Sequence, residues 1–331
     1  MLTDRQRLYR LIERKRDSRV IALATGDRPG QEAQIAKDAV DHIGELLDSI
    51  RDPKKISLIL YTNGGDTLAA WSLVNLLREF CEELEVIVPS KCYSAGTLIC
   101  LGANQIIMAK QACLGPIDPS VNGPLNPGIP GMPANRRMPL SVEDVAGYIE
   151  LARAEGSVPD ADLANIFLKL AAEVHPLALG RVKRARGQIQ ELARKLLSKH
   201  MENKEKHDKI VKVLCSDAGS HDYSIYRSEA RRELGLNIET PSMALYANMR
   251  DVLQDLRAEM MIGTPFSPGA LVSANSPAVP VPYSALRVLI ETAANGSFHY
   301  KTSGNLVPFH DPAGNLNIRD EIQQDGWSKV P

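Results

Sequence analysis

A chain of 331 residues with 44% apolar side chains can bury one large core or two ordinary ones, which excludes whole-chain disorder and collagen-like repetition. Its 39 Lys and Arg balance 40 Asp and Glu, so the formal charge of -1 gives no global pull toward nucleic acid or anionic lipid. Five cysteines with no CxxC pair argue against a disulfide framework or a structural zinc site and fit a reducing, cytoplasmic setting. The start, MLTDRQRLYRLIERKRDSR, is charged throughout, and no later apolar run approaches the roughly 20 residues that cross a bilayer, so no membrane span is expected.

The first third alternates strand and helix signals. An apolar run at 20–24 ends in the turn-forming Thr25-Gly26-Asp27-Arg28-Pro29-Gly30, and apolar residues then recur at helical spacing over 35–50. Residues 56–61 read as a buried strand broken by Asn63-Gly64-Gly65-Asp66. A helix over 68–80, a strand at 86–88, a short apolar helix over 95–101 and a strand at 106–108 follow. This order predicts parallel strands joined by crossover helices.

After Leu114 the pattern stops in a stretch so dense in Pro and Gly that neither regular helix nor sheet is expected, as in a functional lid or linker. From Ser141, which opens like a helix cap, helices are expected over 141–154, 163–172, 176–200, 207–215 and 243–261. Beyond Gly263 the Pro, Gly, Asn and Ser content predicts an extended tail with at most one amphipathic turn near 283–293.

Two turns attract chemical interest. Ser94 stands where a strand passes into a helix, beside N–H groups that have no partner in the first helical turn and can stabilise an oxyanion. Capping that helix is the structural alternative for its hydroxyl. Gly64 and Gly65 open the preceding helix in the same way, either as a second source of oxyanion-binding N–H groups or as a tight turn. Cys92 is a possible thiol nucleophile, but Ser94 sits closer to the helix start, and buried cysteine is commonly a small hydrophobe.

The run from Ile56 to Pro119, with TNGGD, YSAGTLICLGANQIIM and LGPIDPS, resembles the Clp protease/crotonase superfamily. It resembles more closely the serine dehydrogenase proteinase family, related to signal peptide peptidase A. The similarity extends over about 3–261 and includes TGDRPG, HPLALG, SHDYSI and SEARRELGLNI, the last resembling a late helix followed by a hydrophobic strand. The resemblance implies an α/β, Clp/crotonase-like core of repeated ββα units with a helical C-terminal arm. The corresponding organisation is a core over 1–125, a lid or linker over 126–140, a helical region completing the fold over 141–262 and a tail over 263–331.

By the same resemblance Ser94 is the nucleophile, and Ala95 N–H with Gly64 or Gly65 N–H forms the oxyanion hole. A serine needs a base within about 3 Å. Where Clp-type enzymes place their histidine, this chain carries GPIDPS, and no Lys or His occurs between Lys110 and Lys169. His175 leads the candidates, followed by Lys183 in a Ser-Lys dyad, which needs partial burial to become a base, and by His221 beside Asp222. Asp118 is either an orienting carboxylate or the residue that closes a turn before Pro119.

The implied activity is that of a serine hydrolase, a peptidase acting on extended peptides through an acyl-enzyme, without metal or cofactor and as a homo-oligomer. The other readings are a non-catalytic crotonase-like oligomeric scaffold and an acyl-thioester-binding protein. Eleven Lys and Arg between Arg181 and Lys212 make a local basic surplus, which in the absence of interleaved aromatics reads as a solvated helix face rather than a nucleic-acid site.

Overall fold

The computed structural model describes residues 2–50, 53–133, 135–156, 158–217, 220, 222–273, 280–293 and 296–330. They form two compact units, one made of 1–114 with 226–331 and the other of 115–225.

The first unit begins with α1 (Leu2–Arg16), β1 (Arg19–Thr25), α2 (Asp38–Ile50), β2 (Lys55–Tyr61), α3 (Thr67–Phe80) and β3 (Glu83–Val88). β1 to β3 are nearly continuous runs of aliphatic residues buried on both faces, as in a parallel sheet covered by helices. α3 starts at Asp66, whose carboxylate accepts the Leu68 and Ala69 N–H groups, and it buries Ala69, Ala70, Leu73, Val74 and Leu77. Next come β4 (Lys91–Cys92), α4 (Ala95–Leu101), β5 (Gln105–Met108) and β6 (Cys113–Leu114). Short β4 runs parallel to β6, and Thr62 makes a parallel bridge to Cys92. β3 and β5 are thus each followed by a short strand outside the main sheet, and β1 and β2 by single bridging residues, Ile35 and Thr62, an order that fits a Clp-like α/β fold.

The second unit contains β7 (Ser120–Val121), β8 (Leu140–Ser141), α5 (Val142–Ala154), α6 (Leu163–Glu173), α7 (Pro176–Leu197) and α8 (Lys204–Lys212). Its apolar cluster joins Val121, Leu140, Val142, Val174, Ala178, Leu179 and Val182. The Pro- and Gly-rich stretch forms no helix or strand over 122–133 and 135–139, and its two ends are joined where β7 and β8 pair antiparallel, with Gly128 bridging Arg137 within it. Buried Asn126 donates to Val121 O and Met138 O at 2.7 and 2.9 Å, replacing ladder bonds that the prolines cannot make. α6 buries none of its residues.

The chain returns through β9 (Ile225–Tyr226), α9 (Arg227–Arg232), β10 (Ile238–Glu239), α10 (Met243–Glu259), α11 (Pro268–Ser273), β11 (Val281–Thr292), β12 (Ser297–His310) and β13 (Leu316–Val330). α9 and β10 are the late helix and hydrophobic strand expected from SEARRELGLNI. Where an extended tail with one amphipathic turn was expected, three long antiparallel strands stand. β11 pairs antiparallel with β1 from Ile21 to Thr25 and so satisfies the backbone N–H and C=O groups on the edge of β1 away from β2. The main sheet has eight strands in the order β10-β5-β3-β2-β1-β11-β12-β13. The Gly and Asn content of this region serves the connecting turns and the solvated outer strand, which composition alone reads as irregular.

Two buried ionic networks fasten the first unit. The Arg5 guanidinium bonds both Glu291 oxygens at 2.8 and 2.6 Å, and Tyr9 Oη and His299 Nε2 bond the same carboxylate at 2.8 and 2.9 Å. Burial by itself would raise the Glu291 carboxyl, but the hydrogen bonds from Arg5, His299 and Tyr9 and the Arg5 charge outweigh it and hold it at about 2. Arg16 similarly joins Glu85 and Glu239. Among the described residues no single helix is long and apolar enough to cross a membrane.

Candidate active site

The two turns singled out in the sequence meet at the C-terminal ends of β2 and β3, the edge of a parallel sheet where strand-to-helix turns gather. Gly64 and Gly65 have φ of 113° and 147°. A Cβ on Gly64 would stand 2.8 Å from Ser94 Cβ, 3.0 Å from Tyr93 O and 3.3 Å from Ala95 N. At Gly65 a Cβ would overlap the Ile35 backbone, which brackets this residue by accepting from Asp66 N–H and donating to Gly64 O, both at 2.8 Å. Glycine is thus required twice, once by the approach of Ser94 and once by the approach of Ile35.

Ser94 has φ 50° and ψ -115°, and its side chain makes no capping bond to α4. The capping alternative is therefore not what the hydroxyl does. A non-glycine residue in this region costs on the order of 1–3 kcal/mol and is held only by surroundings that over-determine it. Here the Gly96 N–H donates to Tyr93 O at 2.8 Å, the Leu98 N–H donates to Ser94 O at 3.0 Å, and the Tyr93 N–H donates to Thr62 O at 3.1 Å. The half-buried Ser94 hydroxyl has no hydrogen-bond partner among the described residues.

Three amides lie in the two turns that meet here. Gly64 N–H is taken by Thr62 Oγ1 at 2.9 Å, whereas Gly65 N–H and Ala95 N–H have no partner among the described residues. Two free N–H groups beside a free hydroxyl can bind a carbonyl oxygen as it becomes an oxyanion.

The other candidates separate clearly. Cys92 is fully buried, its thiol driven well up by burial and by the neighbouring Cys100 and Cys113, so it does not compete as a nucleophile. Asp118, His175 and Lys183 belong to the second unit. His175 caps α7: its Nδ1 accepts the Leu177 N–H at 3.1 Å, which leaves the proton on Nε2 and no lone pair for a serine proton. Lys183 is exposed and lacks the burial that a lysine base needs. Asp118 is buried at 8% exposure, in a loop pinned by Ile117 N–H to Leu214 O at 2.9 Å. His221 lies outside the described residues.

One group near the Ser94 turn was not singled out in the sequence. Lys91 forms an ion pair with Asp27, which also accepts the Tyr61 hydroxyl at 3.0 Å, and burial with the Asp27 charge pushes that phenol up. Only the position of Asp27 in the TGDRPG turn hinted at it, since nothing in spacing joins residues so far apart in sequence.

Residues 1–132 match the family described as ClpP-like SDH-type serine proteinase. Two uncharacterized proteins of Methanocaldococcus jannaschii are similar: MJ1495 is 30% identical over 249 residues, 71% of this chain and 72% of that protein. MJ0137 is 33% identical over 199 residues, 59% of this chain, and the match spans only 58% of that protein's length. Among solved structures, the membrane-bound stomatin-specific protease 1510-N, as a serine-to-alanine mutant, aligns with a TM-score of 0.39 at 15% identity, over 69% of this chain and 80% of that one. ClpP1 from Listeria monocytogenes aligns with a TM-score of 0.37 at 14% identity, over 71% of this chain and 99% of that one.

Proposed function

The chain belongs to the ClpP-like SDH-type serine proteinase family, and from that premise we propose that it cleaves extended peptides through an acyl-enzyme on Ser94. The observation that carries this reading is the strained, uncapped Ser94 hydroxyl lying beside the free Gly65 and Ala95 N–H groups. Ser94 Oγ attacks the scissile carbonyl while its proton passes to a base, and the carbonyl oxygen becomes an oxyanion held by the two amides. Collapse expels the amine, which takes the proton from the same base. Water then attacks the ester and frees Ser94.

His175 serves as the base once it releases the Leu177 N–H, Lys183 once it is covered, and His221 is the third candidate. A homo-oligomer would provide that cover.

Labelling with a fluorophosphonate at several pH values tests the proposal. The wild type is expected to react at one serine, and Ser94→Ala is expected to abolish labelling with its circular dichroism unchanged. Loss of labelling in folded His175→Ala or Lys183→Ala identifies the base. A folded wild type that never labels sinks the reading and favours the non-catalytic scaffold.

A further inference from the structure

Thr62 is completely buried at the end of β2 and touches both turns of the candidate site at once. Its Oγ1 accepts the Gly64 N–H at 2.9 Å and shares a 2.7 Å hydrogen bond with Thr25 Oγ1. Its backbone spans to the Ser94 turn: Thr62 N–H donates to Lys91 O at 3.2 Å, and Tyr93 N–H donates to Thr62 O at 3.1 Å. Its methyl fills the space beside Gly96, where an added Cβ would lie 2.5 Å from Thr62 Cγ2.

We propose that Thr62 is a positioning residue for the reaction at Ser94: its hydroxyl ties down the Gly64 amide, so that the Gly65 amide is the one presented to the oxyanion. The inference rests on the serine peptidase reading and deepens it. With both glycines at positive φ, the turn has little conformational preference of its own; Ile35 N–H fixes the Gly64–Gly65 peptide plane through Gly64 O, and Thr62 Oγ1 holds the plane before it, which carries the Gly64 N–H. A buried hydroxyl has one proton and two acceptor positions, and here it accepts the Gly64 amide, pairs with the Thr25 hydroxyl and lies 3.3 Å from Gly64 O, so it contacts both the N–H and the carbonyl of Gly64. Without the hydroxyl, the Gly64 N–H is buried and unpaired, and it competes with Gly65 for the same oxyanion. Valine in place of Thr62 keeps the methyl and the volume while removing only the hydroxyl, whereas serine keeps the hydroxyl and removes the methyl.

Steady-state hydrolysis of p-nitrophenyl acetate by the full chain provides the test, because this small ester reports acyl transfer whatever peptide the protein prefers. Removing an oxyanion donor outright costs about 100- to 1000-fold in kcat. A donor left in place but misaligned is expected to cost less, so Thr62→Val should lower kcat about 10- to 100-fold with KM within about twofold. Thr62→Ser should stay within about threefold of wild type, a rescue that a purely space-filling role would not produce. If Thr62→Val fails to fold, Thr62→Cys replaces it, since a thiol is a poor acceptor in the same volume; the expected order is then wild type and Ser above Cys. Equal kcat in Thr62→Val and wild type, or in the Cys and Ser variants, overturns the assignment of Thr62 alone. A wild type that neither hydrolyses the ester nor takes a fluorophosphonate on Ser94 overturns the peptidase reading, and this inference with it.

Discussion

The two units differ in their most buried charges, although both also carry exposed ion pairs. In the first, Arg5 and Glu291 meet with both side chains at 0% exposure, and Arg16 meets Glu85 at 14% and 0%. In the second, Arg194 meets Asp208 at 41% and 64%, and Lys195 meets Glu191 at 56% and 57%. Apolar burial follows the same division: β1 to β3 are buried almost end to end, whereas α6 leaves Phe167 and Leu168 at 53% and 66% exposure. The unit that carries Ser94 is thus the one whose framework tolerates little movement. A residue held at φ 50° stays there only if its neighbours cannot relax.

The sharpest way to break this contrast is to open the buried network. Glu291→Gln leaves Arg5 buried without its bidentate carboxylate and is expected to destabilise the first unit by about 3–5 kcal/mol. The same group sets an acid limit. Its carboxyl is held at about 2 against an ordinary value of 4.5, so the folded state binds this proton less readily than the unfolded chain does. The stabilisation is therefore complete above about 4.5 and lost as pH falls toward 2, amounting to about 3 kcal/mol over that window. Thermal unfolding followed from pH 6 to pH 2 should show a steeper decline in wild type than in Glu291→Gln. Parallel curves would mean that Glu291 does not carry the acid response.

A smaller effect, of opposite sign, is expected at Ser94, the proposed nucleophile. Glycine adopts the Ser94 backbone conformation without the penalty that any other residue meets there, though it adds freedom to the unfolded chain. Ser94→Gly should therefore be more stable than Ser94→Ala by about 1 kcal/mol, both variants being inactive, since alanine keeps the strain. Calorimetry on the two variants measures the strain apart from the chemistry. Equal stability would show that the Ser94 conformation stores nothing.

The parts of this molecule that were legible in sequence are those fixed by short stretches. Ile56 to Tyr61 can only be a doubly buried strand, and two glycines followed by Asp66 mark the turn and cap of α3. The positions of Ser94 and the glycines followed from the same local logic. What Ser94 does with its hydroxyl did not, because a cap and an uncapped serine have the same sequence and differ only in φ and ψ. Which of the Gly64 and Gly65 amides is left without a partner depended on Thr62 Oγ1, and the pairing of β11 with β1 joined residues that composition had assigned to a tail. The base was hardest of all to read. The cap that His175 makes to Leu177 is local, two residues away at the Pro176 helix start, but the cover that Lys183 would need is not encoded near that residue.

The smallest expected effect belongs to the second unit. Arg194 Nε donates to Asp208 at 2.7 Å, a geometry as good as that of many buried pairs. Water surrounds both groups, however, so the Coulomb attraction is weakened about as much as the ordering of two long side chains costs. Asp208→Asn is accordingly expected to change stability by no more than about 0.5 kcal/mol, and whatever change appears should vanish in about 1 M salt, where screening acts within a few ångströms. Chemical denaturation in urea at low and high salt measures both. A loss above about 2 kcal/mol that persists in high salt would show that α7 and α8 are covered by another surface, and the contrast in charge between the two units would then describe only the isolated chain.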